Sequence, residues 1–117
     1  MRLTGKKILI TQSDAYMGPA IQTFFEAEGA ELTAAPGIVP FGDNSYSPLD
    51  QPFDVVIANL AHDPMNGPLD QLKDDSWQAL FDTMVHPLMS LVRHFAPRMA
   101  DQGGGKIVAV TSAAPLR

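Results

Sequence analysis

The chain has 117 residues, a formal net charge of −5 and no cysteine. The missing cysteines exclude a disulfide framework, thiolate chemistry and cysteine-ligated zinc, and the acidic balance argues against nucleic acid or an anionic membrane as partner. Met1-Arg2-Leu3-Thr4-Gly5-Lys6 carries no apolar signal region, and no apolar run reaches the ~20 residues of a membrane span, so we expect one soluble, cytoplasmic domain over residues 1–117.

Lys7 to Thr11 reads as a buried parallel strand, and a helix opening at Pro19 puts Ile21, Phe24 and Phe25 at i, i+3, i+4 before Gly29 ends it. Glu31 to Ala35 is a second strand, so the chain begins as strand, loop, helix, strand. Residues 36 to 52 hold Pro36, Pro40, Pro48, Pro52, Gly37 and Gly42 with no regular period, the mark of an irregular crossover. Asp54 to Asn59 is a third strand and Pro64 to Pro68 a loop, after which Asp74 or Ser76 is placed to cap a long helix. Trp77, Leu80, Phe81, Met84, Leu88, Leu91 and Phe95 form its apolar face, and Pro87 removes a backbone donor and interrupts the middle. The glycines at 103 to 105 precede a strand and not a helix, which makes them a turn; Lys106 to Thr111 is a fourth strand ending at Ser112. The expected fold is α/β, a Rossmann-like doubly wound parallel sheet, incomplete at its C-terminal side.

Thr11-Gln12-Ser13-Asp14-Ala15-Tyr16-Met17-Gly18 stands between the first strand and the first helix, the position of a dinucleotide-phosphate loop. Such a loop needs glycines, because only a residue without Cβ lets backbone amides close on a pyrophosphate. Gly18 alone remains. Tyr16 brings a ring into the diphosphate volume and Gln12 crowds the turn, so the pocket is expected to hold something smaller. The second strand ends in Ala34-Ala35-Pro36, without an acid for a ribose hydroxyl or a base for a 2′-phosphate.

Leu3-Thr4-Gly5-Lys6, the strand Asp54 to Asn59, the helix opening at Trp77 and Gly105-Lys106-Ile107-Val108 leading to Ser112 together resemble the short-chain dehydrogenase/reductase superfamily. Within it, Thr11, Tyr16 and Gly18 match the T-x4-[FY]-x-G pattern of the halohydrin dehalogenases, and Asp14 to Gly18, Val85-His86-Pro87-Leu88 and Ser112-Ala113-Ala114 look most like B-type members. The resemblance implies an enzyme without nicotinamide or other cofactor and without metal. It converts vicinal halohydrins to epoxides with release of halide, and in reverse opens epoxides with azide, cyanide or nitrite. It assigns Thr11, Tyr16 and Gly18 to the halide and nucleophile pocket, Ser112 to catalysis, and Asn59, Leu60, Met84 and Pro115 to the substrate pocket. Met84 stands where reductases of the superfamily carry an active-site asparagine, and their N-N-A-G turn is here Ala58-Asn59-Leu60-Ala61. Relatives are commonly tetramers, so a homo-oligomer is expected.

The family's catalytic set is S-x12-Y-x3-R. Ser112 matches its serine, and the sequence ends at Arg117, before the tyrosine and arginine positions. In the implied mechanism the tyrosine takes the hydroxyl proton of the halohydrin, the arginine lowers that tyrosine's pKa, and Ser112 hydrogen-bonds the same oxygen while the alkoxide displaces halide. The 117 residues alone are therefore expected to be inactive.

Without the resemblance these residues read more plainly. Ser112 at a strand end satisfies a loop backbone; Tyr16 is a half-buried packing residue; Thr11 and Asn59 bond local backbone. His62, His86 and His94 find no carboxylate at a useful spacing and read as structural or surface, and Asp63, Asp70, Asp74 and Asp75 as caps and a solvated face. Two further functions stay open: a divergent NAD(P)-dependent short-chain oxidoreductase, disfavoured by Gln12, Tyr16 and the absent ribose acid, and a non-catalytic remnant or interaction module, favoured only by the early end of the sequence.

Overall fold

The protein is described by a computed structural model over residues 2–40, 51–61 and 68–111. Four strands, β1 (Lys7–Thr11), β2 (Glu31–Ala35), β3 (Val55–Asn59) and β4 (Lys106–Val110), form one parallel sheet in the order β2-β1-β3-β4. Helix α1 (Gly18–Ala27) joins β1 to β2; α2 (Asp74–Leu80), a π-helical turn (Phe81–Val85) and α3 (His86–Asp101) precede β4. This is a Rossmann-like α/β fold.

The side-chain period of two divides the sheet between its two layers. Leu9, Val56 and Ala58 pack with Leu91, Phe95 and Met99 of α3, whereas Ile8, Ile10 and Ile57 pack with Ile21 and Phe25 of α1. Strands β1 and β3 are buried on both faces, which is why they read as unbroken apolar runs. Registers Ile8↔Val55 through Ile10↔Ile57 set the two side by side, although β2 lies between them in sequence. Their C-terminal ends diverge into connections on opposite sides, and this topological switch point is where sheets of this kind bind ligands.

Several expectations need correction. Phe24 is 62% exposed, outside the apolar face shared by Ile21 and Phe25. Lys73 is the N-cap of α2, without a side-chain capping bond; Asp74 and Asp75 lie in the first turn, where their charge suits the helix dipole. Trp77 is half exposed and packs tilted against Phe81 at 5.1 Å between centroids, whereas the residues of this helical stretch that pack on the sheet start at Met84 within the π-helical turn. Asp54 precedes β3; its carboxylate accepts the Lys7 N–H at 2.9 Å and its carbonyl accepts the Lys106 N–H at 3.0 Å, tying together the starts of three strands. Strand β4 ends at Val110, one residue short of Thr111. It forms a sheet edge among the described residues, with Val108 exposed on the α1 side.

Candidate functional site at the switch point

Thr11 ends β1 fully buried, its hydroxyl donating to the Ile57 carbonyl at 3.5 Å. The loop then makes two turns, with the Ala15 N–H donating to Gln12 O at 3.0 Å and the Gly18 N–H to Ala15 O at 2.8 Å. Ser13 extends the β1–β2 ladder by donating its N–H to Ala35 O, and its own carbonyl accepts Gln22 Nε2 at 2.8 Å. Gly18 lies under the Ser13 backbone, where any Cβ would collide with it.

Two non-glycine residues of the described chain have positive φ, Gln12 at 46° and Tyr16 at 51°. This left-handed region suits glycine and costs other residues about 1–2 kcal/mol. The loop therefore keeps the backbone of a glycine turn at the two positions where sequence places large side chains. Tyr16 is 56% exposed at the rim; Gln12 is turned inward and buried.

Asn59, at the end of β3, is fully buried and tethers the loop. Its Nδ2 donates to Gln12 O at 2.9 Å and to Ala15 O at 2.7 Å, while Oδ1 finds no partner. Gln12 forms the second tether: Nε2 donates to Thr83 O at 3.0 Å in the π-helical turn, and Oε1 accepts the Ala61 N–H at 3.3 Å. The loop is thus sewn to both sides of the switch point, by residues whose bonds span 44 to 71 positions of sequence.

The structure brings Thr11, Gly18 and Asn59 together around this loop, with Tyr16 at its edge. Leu60 is buried in the cluster on the α3 side, and Met84 packs half-buried against the same cluster. Ser112 and Pro115 lie outside the described residues, as do His62 and Asp63. His86 does have a carboxylate neighbour, contrary to expectation: Nε2, on a partly buried side chain, lies 3.8 Å from Oδ1 of the exposed Asp82, one helical turn earlier. His94 stacks edge-on against Phe95 at 4.9 Å between centroids. The contribution that sequence reasoning missed is that of Gln12, read as crowding and found bridging. Its one sequence signal was Pro87, which cannot give the Thr83 carbonyl an α-helical donor.

The positions that hold a dinucleotide in folds of this kind are occupied differently here. Gly18 keeps the close packing of the helix start on the Ser13 backbone, whereas the two glycine positions before it are Gln12 and Tyr16, the Gln12 carboxamide lies between the ends of β1 and β3, and Ala34-Ala35-Pro36 offers no charged group at the ribose side. Among the described residues no group of three or more His, Asp or Glu could hold a metal ion, and no helix is long and apolar enough to cross a membrane.

Strand order and switch point define the class: a Rossmann-like α/β domain with its ligand crevice at the ends of β1 and β3. The chain belongs to the short chain dehydrogenase family, whose sequence model matches residues 44–117. It is similar to the Dehydrogenase/reductase SDR family member 4 of Bos taurus, 36% identical over 61 residues, which is 52% of this chain and 22% of that protein. Over its whole length it is similar to a solved structure described as a dehalogenation enzyme, at a TM-score of 0.73 and 21% identity, covering 58% of that chain. At that identity the likeness speaks for the fold. The chain spans about a fifth of the first relative and somewhat over half of the second.

Proposed function

We propose that this chain carries the anion pocket of a cofactor-independent halohydrin dehalogenase, which closes vicinal halohydrins to epoxides and opens epoxides with small anions. The observation that carries the reading is the loop itself: glycine-type backbone at Gln12 and Tyr16 with the side chains retained, one buried in the crevice and one at the rim. A monovalent anion needs only a few N–H donors and an aromatic edge, and the positive end of α1 beside Tyr16 suits it. A pyrophosphate needs the volume that the Gln12 side chain fills. On this reading Thr11, Tyr16 and Gly18 form the halide pocket, Ser112 holds the substrate oxygen, and Asn59, Leu60, Met84 and Pro115 border the substrate. The same reading carries a cytoplasmic homo-oligomer.

The second reading, an NAD(P)-dependent oxidoreductase, is favoured by the sequence likeness to the bovine dehydrogenase/reductase. Calorimetric titration separates the two. The expected result is saturable binding of bromide and azide and none of NADH or NADPH; a micromolar dissociation constant for either nucleotide overturns the proposal. Tyr16→Gly alone is not expected to restore nucleotide binding, because Gln12 and the Ala35-Pro36 strand end remain.

A further inference from the structure

Gln12 does something the anion pocket does not require. Gln12 is 3% exposed, and its carboxamide makes one donated and one accepted bond to main-chain groups of the π-helical turn and of the segment after β3. The acceptor, Thr83 O, lies four residues before Pro87, which has no N–H to offer it, and the helix loosens there into its π-helical turn. The donor, the Ala61 N–H, lies just past the end of β3. An N–H and a C=O displayed together are matched by a group that carries an acceptor and a donor on adjacent branches. A primary carboxamide has that pattern; a carboxylate lacks the donor, and an alcohol has only one atom for both bonds.

We propose that the switch-point crevice is a primary-carboxamide site whose resident ligand is the Gln12 side chain. Because the site is filled in cis, the native chain admits no external amide, and shortening residue 12 vacates it. Glycine is the apt replacement, since φ of 46° is easy for it and the substitution removes the carboxamide without straining the turn. Propionamide is the probe, being the Gln12 side chain from Cβ outward with a hydrogen in place of the bond to Cα.

The test uses the full chain as wild type, Gln12→Gly, and Gln12→Met, the last filling the crevice without an amide. Propionamide at ten times its dissociation constant should raise the Tm of Gln12→Gly by about 5 °C. It should leave wild type and Gln12→Met unmoved, and propionate should do nothing to any of them. An equal response of wild type and Gln12→Gly, or an equal response to propionate, overturns the proposal. Should Gln12→Gly not fold by itself, recovery of its far-UV circular dichroism on adding propionamide supports the site, and no recovery overturns it. None of these readouts involves halide or nucleotide, so this inference and the proposed function fail separately.

Discussion

The carbonyl of Ser13 rests on Gly18 so closely that a Cβ built on the glycine would strike its oxygen and come within 2.6 Å of its carbon. The obstacle is backbone, held by the ladder bond from Ser13 to Ala35 and by the Gln22 amide, and it has little freedom to move away. Gly18→Ala should therefore cost roughly 3 kcal/mol or more. Gly37→Ala, in open space at φ of 82°, should cost only about 1 kcal/mol. Urea midpoints at constant slope measure both, and equal losses would refute the close contact.

The tether from Asn59 predicts an order of severity among substitutions. Gln12 O and Ala15 O each also accept a turn N–H, so Asn59→Leu leaves neither wholly unpaired and should cost about 1–2 kcal/mol. Asn59→Asp places a carboxylate against two carbonyl oxygens at a fully buried position and should cost about 3 kcal/mol or more at neutral pH. Thermal or chemical denaturation in which the two variants ranked the other way would show that the Nδ2 bonds do not hold the loop.

Gln12 and Pro87 should be coupled, though they never touch in sequence. Pro87→Ala restores an N–H four residues after Thr83, which competes with Gln12 Nε2 for the same carbonyl. A double-mutant cycle with Gln12→Met and Pro87→Ala should give a coupling of about 0.5–2 kcal/mol, the loss from Gln12→Met being smaller in the Pro87→Ala background. Strict additivity would mean that the carboxamide does not serve the turn.

For the proposed enzyme, Tyr16 and Ser112 should divide the work. Ser112→Ala should lower turnover by about two to three powers of ten, the typical loss for one oriented donor at a developing oxyanion, with halide inhibition little changed. Tyr16→Ala should weaken halide and azide affinity first. Tyr16→Gly should share that defect yet be more stable than Tyr16→Ala by about 1 kcal/mol, since φ of 51° strains alanine and not glycine. Halide-inhibition constants, turnover and Tm for the three variants test the assignment; loss of halide binding in Ser112→Ala would reverse it.

Much of the framework was legible because its causes are local. The apolar runs at Lys7–Thr11 and Glu31–Ala35 gave both strands their bounds, Pro19 and Gly29 bracketed α1, and Pro87 announced the break realised as the π-helical turn. Where a residue's environment depends on a distant element, no local pattern encodes it. Trp77 and Phe24 have helical spacing for burial and are exposed, since periodicity marks a face without saying how far the sheet extends beneath it. The Asp82–His86 pair, by contrast, has a local signal, its i, i+4 spacing on one helical face.

Sequence by itself determined that the loop after β1 carries Gln12 and Tyr16 where a nucleotide loop needs glycine, because that is a matter of which side chains stand at which positions. Only the tertiary structure decided what those side chains do. Gln12 reaches Ala61 and Thr83, and Asn59 reaches Gln12 and Ala15, across separations no local pattern encodes. Such partners become neighbours only when β3 inserts beside β1 and the helix after it folds back over the sheet. The physical reason is that a hydrogen bond is fixed by distance and direction in space, and the sheet order, a global property of packing, sets both.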